Sequence, residues 1–141
     1  MYALRASSSR PCGRRAPAAS RGDLAAHTAQ AEGGEQGDPL MPLLYCLGAK
    51  RALDKVAAQL QPGESLFAYL DDVYALCQPQ RAREVYDVLA RALREENNIS
   101  LHEAKTRFWN KAGIKPDRID SLGDEVWNPD GVKLLGTPVG G

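Results

Sequence analysis

The stretch that most constrains this chain is Ser65-Leu66-Phe67-Ala68-Tyr69-Leu70-Asp71-Asp72-Val73-Tyr74-Ala75-Leu76-Cys77. Two apolar runs rich in aromatic and aliphatic residues flank adjacent aspartates. That pattern predicts a β-hairpin with strands of about six residues. Its turn chemistry is unusual, because a two-residue hairpin loop favours Asn-Gly or Asp-Gly and neither aspartate precedes a glycine. Two adjacent negative charges repel unless something neutralises them. A hard divalent cation, Mg²⁺ or Mn²⁺, binds carboxylate oxygens and would do so. An acidic pair in a turn is also the ordinary composition of a solvated loop tip, so the pair alone leaves both readings open.

On either side of the hairpin the pattern is helical. Glu32-Gly33-Gly34-Glu35-Gln36-Gly37-Asp38-Pro39 reads as a glycine-rich turn, with Asp38 as N-cap and Pro39 at the first helical position. Leu40, Leu43, Leu44, Leu47, Leu53, Val56, Ala57 and Leu60 follow a helical spacing and predict one amphipathic helix to about Leu60. Gln61-Pro62-Gly63 stops it. After Gln78-Pro79-Gln80, the set Ala82, Val85, Tyr86, Leu89, Ala90 and Leu93 predicts a second helix ending at Glu95-Glu96-Asn97-Asn98. Its charged residues, Arg81, Arg83, Glu84, Asp87, Arg91 and Arg94, read as a solvated face. Ile99-Ser100-Leu101-His102 is a short strand candidate, and Val132-Lys133-Leu134-Leu135-Gly136 a last strand beyond a turn-rich stretch. Helix, strand, strand, helix, strand makes the expected fold α+β: a small antiparallel sheet with two helices packed on one face.

Residues 1–31 show neither period. Ser7-Ser8-Ser9, Pro11, Gly13 and Pro17 stand among scattered alanines and arginines, which predicts a disordered N-terminal leader ahead of a domain over 32–141. A transit peptide shares that composition. The leader has five arginines and one acid, a net +4, and residues 32–141 have 13 basic and 17 acidic groups, a net −4. Phosphate neutralisation supplies much of the affinity of nucleic-acid binders, so the body on its own is expected to bind nucleic acid weakly. No apolar run approaches the ~18 residues of a membrane span. Cys12, Cys46 and Cys77 form no Cys-x-x-Cys pair and support neither a zinc site nor a disulfide framework. Cys46 and Cys77 fall inside apolar patterns and read as core residues. A reducing compartment, nucleus or cytoplasm, is the expectation.

Taken together, Tyr69-Leu70-Asp71-Asp72, the upstream Gln36-Gly37-Asp38-Pro39-Leu40, and the downstream Ala104-Lys105-Thr106 and Leu134-Leu135-Gly136 resemble the palm of reverse transcriptases. The likeness is to those of non-LTR retrotransposons and group II intron-like elements. It runs from Glu32 to Gly140, 109 of 141 residues. The Tyr-x-Asp-Asp and Gln-Gly-Asp-Pro pieces are specific when found together, and the other two are weak alone. The resemblance implies a partial polymerase palm acting on an RNA template, a DNA primer and deoxynucleoside triphosphates by two-metal nucleotidyl transfer. It implies Asp71 and Asp72 as Mg²⁺ or Mn²⁺ ligands, and Lys105 near the triphosphate as a general acid. Gln36, Gly37, Asp38, Pro39 and Tyr69 would lie against nucleotide and template. Two departures are Met41, where serine is frequent, and Glu35, a negative charge near a phosphate-bearing ligand. In the family a further catalytic aspartate sits on a strand upstream of Gln-Gly-Asp-Pro. The one aspartate before Asp38 is Asp23, with no strand pattern around it. The metal site is therefore expected to be incomplete and the chain, as a truncated fragment, inactive. Other readings are a retroelement relic, a non-catalytic α/β interaction module, and another two-metal nucleotidyl-transfer palm, which need not contain Gln-Gly-Asp-Pro.

Overall fold

The computed structural model describes the backbone of Tyr2–Ser9 and residues 38–140. In chain order these form strand β1 (Tyr2–Ser9), helix α1 (Met41–Ala57), strands β2 (Ser65–Tyr69) and β3 (Asp72–Cys77), helix α2 (Ala82–Asn97), strands β4 (Ser100–Leu101) and β5 (Arg107–Asn110), and a hairpin of β6 (Val132–Leu134) and β7 (Thr137–Val139). The architecture is α+β, as the sequence predicts.

β2 and β3 pair antiparallel with Phe67 opposite Tyr74 and Tyr69 opposite Asp72, which leaves Leu70-Asp71 as a two-residue loop. Beside β3 lies β1, antiparallel, with Arg5 opposite Tyr74 and Ser7 opposite Asp72. On its far side β1 pairs antiparallel with β4 through Ser8 and Leu101, and with β5 through Leu4 and Phe108. The strand order is β2-β3-β1, then β4 and β5 along the outer side of β1. Two βαβ units are thus interleaved, each with a strand of the other between its own two: the split βαβ arrangement.

The leader expected over residues 1–31 is corrected at Tyr2–Ser9, which form the central strand of this sheet; residues 10–31, with Cys12 and Asp23, lie outside the described residues. Tyr-Ala-Leu-Arg-Ala-Ser-Ser-Ser holds no β-branched residue, so local propensity gives no strand signal. Its strand character comes from a ladder on each side, which pairs backbone groups that propensity does not count.

One face of the sheet carries the helices. Val73, Ala75 and Cys77 alternate along β3 and are buried against Val85, Leu89 and Leu93 of α2 and Val56 of α1. The α2 stripe buries Ala82, Val85, Tyr86, Leu89, Ala92 and Leu93. Asn98 stops that helix in the left-handed region at φ 52°, its N–H donating to Arg94 O at 3.1 Å.

Helix α1 departs from its expected stripe. It starts at Met41 and ends at Ala57, with Leu40 as N-cap and Pro42 in its first turn. Pro39 therefore precedes the helix. Ala49, Ala52 and Val56 are its buried residues, whereas Leu40, Leu43, Leu44 and Leu47 are each more than half exposed. The step from Leu47 to Leu53 is six residues, which carries the pattern about 240° round the helix axis. What reads in sequence as one stripe is two, on opposite faces. The contact with α2 explains which one packs: Asn97, the last residue of α2, donates from Nδ2 to Gly48 O at 2.7 Å. Residues before Gly48 run on past the end of α2. Cys46 lies in that overhang and is exposed, so its expected core position is corrected, while Cys77 is buried as expected. Burial pushes the Cys77 thiol up to about 11.

Candidate functional site

The turn between β2 and β3 sets the geometry. Leu70 has φ 52°, a left-handed conformation that glycine or asparagine adopts more readily. It allows a loop of two residues without glycine, and it leaves Asp71 exposed at the end of the sheet. Asp72 begins β3 and is half-buried. Directly paired residues share a face, so Tyr69 and Phe67 of β2, and Tyr74 of β3, lie on the same sheet face as Asp72, the one opposite the helices. Phe67 and Tyr69 are 55% and 58% exposed there.

Tyr74 ties this face together. Its hydroxyl donates to Asp72 Oδ2 at 3.2 Å and accepts the Leu135 N–H at 3.2 Å. Leu135 and Gly136, with φ 48° and 84°, form the two-residue loop between β6 and β7, the positive pair that a type I′ hairpin requires. The Leu134-Leu135-Gly136 motif is thus connected to the acidic turn through one phenol. The expected last strand to Gly136 is resolved into a hairpin, with Gly136 in its turn.

The register places the other candidates. Lys105 closes a short 3₁₀ turn, Glu103–Lys105, between Leu101, opposite Ser8, and Arg107, opposite Arg5. It therefore lies along the outer side of β1, at the end of the sheet that carries the acidic turn. The Lys105 side chain is exposed. Helix α1 ends shortly before β2 begins at the opposite end of the sheet, so its N-terminus points back toward the acidic turn. Asp38 is not its N-cap. Its Oδ1 accepts the Leu40 N–H at 2.9 Å and its carbonyl accepts the Met41 N–H at 3.1 Å, which makes it the start of the turn that launches the helix. Asp38 and Pro39 are exposed; Gln36 and Gly37 lie outside the described residues.

A two-metal centre needs carboxylates from two strands. Asp71 and Asp72 come from one turn, and the neighbouring strand β1 offers Ser7 at the paired position and no acidic residue anywhere between Tyr2 and Ser9. Among the described residues no three His, Cys, Asp or Glu side chains come together as a metal-binding group. Among the described residues, Asp71 and Asp72 are the carboxylates at this turn, and β1 adds none beside them.

At the opposite end of the sheet is a polar centre that the sequence reading missed. The Glu64 side chain is 1% exposed. Its carboxylate accepts the Gln61 N–H at 2.8 Å, the Gln78 N–H at 3.4 Å and Arg81 Nε at 3.0 Å. Arg81 also donates to Gln59 O and to Glu84. Burial pushes the Glu64 carboxyl up, but the hydrogen bonds from Gln61, Arg81 and Gln78 outweigh it and hold the group below its usual range. Arg81, read in sequence as part of a solvated face, is instead the link between the end of α1, the start of β2, the end of β3 and the start of α2. Arg83 is likewise engaged, with Nη1 donating to Arg118 O at 2.6 Å. No sequence pattern marks this pair, because its partners are mostly backbone groups brought together by the fold.

No described helix is long and apolar enough to cross a membrane. Compared with known proteins, the chain matches no family model, no curated protein and no solved structure.

Proposed function

We propose that this chain is a reverse-transcriptase-type palm that keeps the acidic turn of an RNA-directed DNA polymerase but does not itself extend a primer. The observation that carries the reading is the acidic hairpin turn at the end of an antiparallel split-βαβ sheet. Lys105 is at the same end and the start of α1 points toward it. Lack of activity follows from β1, which occupies the strand beside Asp72 and offers Ser7 where a second-strand carboxylate is needed. RNA template, DNA primer and deoxynucleoside triphosphates are the ligands this scaffold would orient, with Tyr69 on one face of the acidic end of the sheet and Asp38 and Pro39 at the start of α1, which points toward that end. Among the described carboxylates, Mg²⁺ or Mn²⁺ would meet Asp71 and Asp72.

The test supplies the absent carboxylate. The wild-type chain is expected to give no primer extension on an RNA template with either ion. Ser7→Asp is expected to gain a Mn²⁺-dependent rise in melting temperature, since an ion that binds only the folded state stabilises it. That rise should disappear in Ser7→Asp with Asp72→Asn. Extension by the wild type, abolished in Asp71→Ala, would overturn the claim of inactivity. An absent Mn²⁺ response in a folded Ser7→Asp chain would count against the palm reading itself. It would favour the second reading, a non-catalytic α/β interaction module, which the exposed leucines of α1 support.

A further inference from the structure

The two edges of the sheet are treated differently. The β5 edge is covered: Trp127 bridges to Phe108, and the Asn128 N–H donates to Phe108 O at 3.1 Å. The β2 edge is not; among the described residues its only strand partner is β3. Natural sheets guard such an edge with lysine, proline or a bulge. Ser65-Leu66-Phe67-Ala68-Tyr69 has none of these, and its Phe67 and Tyr69 are more than half exposed.

We propose that β2 pairs with β2 of a second copy of this chain, antiparallel about a two-fold axis at Phe67, to make one continuous sheet. Phe67 is the middle residue of the strand, so self-pairing sets it opposite its own copy and sets Ser65 opposite Tyr69. No charged residue lies within the strand, so no like charges face each other across the pair. One step further out, Glu64 would meet Leu70 of the other copy and not another acid. The interface is isologous and closes at two.

Helix α1 lies beside α2, and its leucine face is the one turned away from Ala49, Ala52 and Val56. Leu40, Leu43, Leu44 and Leu47 therefore face away from α2 and from Leu66 of β2, which packs on the buried side of α1, and they are no part of the β2 edge. Phe67 and Tyr69, more than half exposed on the sheet face opposite the helices, are the apolar side chains that pairing through β2 would bring against the second copy. The chain has a formal net charge of zero, so two copies approach without long-range repulsion. The proposal does not rest on the polymerase reading, because it uses no site residue other than Tyr69 as surface.

Sedimentation equilibrium of the full chain over a concentration series is the test. The wild type is expected at twice the mass of one chain. Phe67→Lys, which opposes two lysines on the axis, is expected to weaken association by on the order of 100-fold with unchanged far-ultraviolet circular dichroism. Phe67→Cys should form an intermolecular disulfide under mild oxidation where Ser65→Cys does not, since Ser65 has no copy of itself opposite. A wild type that stays monomeric overturns the proposal and leaves the edge to an extended strand of another protein. A dimer that persists in folded Phe67→Lys, or one broken only by Leu43→Glu with Leu47→Glu, overturns pairing through β2. If Phe67→Lys does not fold, the two cysteine variants decide the register alone.

Discussion

Leu70 holds a backbone conformation that a branched, apolar side chain resists. Its φ of 52° is the first dihedral of the acidic turn, and the left-handed region costs a residue other than glycine or asparagine about 1–2 kcal/mol. Asparagine bears that conformation at lower cost by hydrogen-bonding its own backbone. Leu70→Asn should therefore raise stability by about 0.5–1 kcal/mol, read as a higher urea midpoint with an unchanged slope. A lower midpoint would mean that the leucine side chain contributes more than its backbone strain removes. Glu64 carries the opposite lesson. Its folded-state carboxyl lies below the usual range through Gln61, Arg81 and Gln78, despite the raising effect of burial. A depressed carboxyl contributes stability that is present above the unfolded value, about 4.3, and is lost as pH falls through the folded one. Glu64→Gln should cost about 1–2 kcal/mol at neutral pH, a figure reduced because Arg81 keeps some solvent contact. The gap between wild type and variant should narrow steadily below pH ~4. A gap that is constant with pH would assign the loss to shape, not to charge.

Helix α1 shows how far an element is legible before its neighbours are known. Its existence and its stop near Gln61-Pro62-Gly63 follow from periodicity, as do the hairpin at 65–77 and the α2 stripe. Its faces do not. Apolar residues at helical spacing report a stripe, but they do not say which stripe packs, and here it is the one of Tyr45, Ala49, Ala52 and Val56 and not the one of Leu40, Leu43, Leu44 and Leu47. The two halves should respond differently to truncation. Leu89→Ala, in a fully buried α2 position, is expected to cost 2–5 kcal/mol. Leu47→Ala should change the stability of the dilute chain by less than about 0.5 kcal/mol. Equal losses would place the overhang of α1 within the core. The site divides along the same line. Asp71 and Asp72 are legible because two like charges beside each other need a reason, and Lys105 because of the pieces that accompany it. Tyr74 was legible only as a strand residue. Its hydroxyl gains a role when Asp72 and Leu135, 61 residues further on, are brought to it.

At the scale of the whole molecule, everything depends on a strand with little strand propensity. β1 pairs with β3 on one side and with β4 and β5 on the other, so each backbone N–H in its middle faces a neighbouring strand. Removing it would separate the hairpin from β5 and leave two edges where there was a ladder. Proline tests this through the backbone alone, because it deletes one donor and fixes φ whatever the side chains do. Ala6 lies opposite Val73, well inside the paired run. Ala6→Pro should cost about 3 kcal/mol or more and abolish the cooperative thermal transition of a domain this small. Ser65→Pro, at the first residue of the edge strand, should cost far less, since proline is tolerated at that position. Amide exchange gives the same ranking from another direction: the ladder of β3 facing β1 should exchange only on global unfolding, and the outer edge of β2 far sooner. An Ala6→Pro chain as stable as the wild type would return Tyr2–Ser9 to the leader that their composition suggests. It would also remove the argument that Ser7 stands where a catalytic carboxylate is needed, so one substitution tests both the fold and the proposed loss of activity.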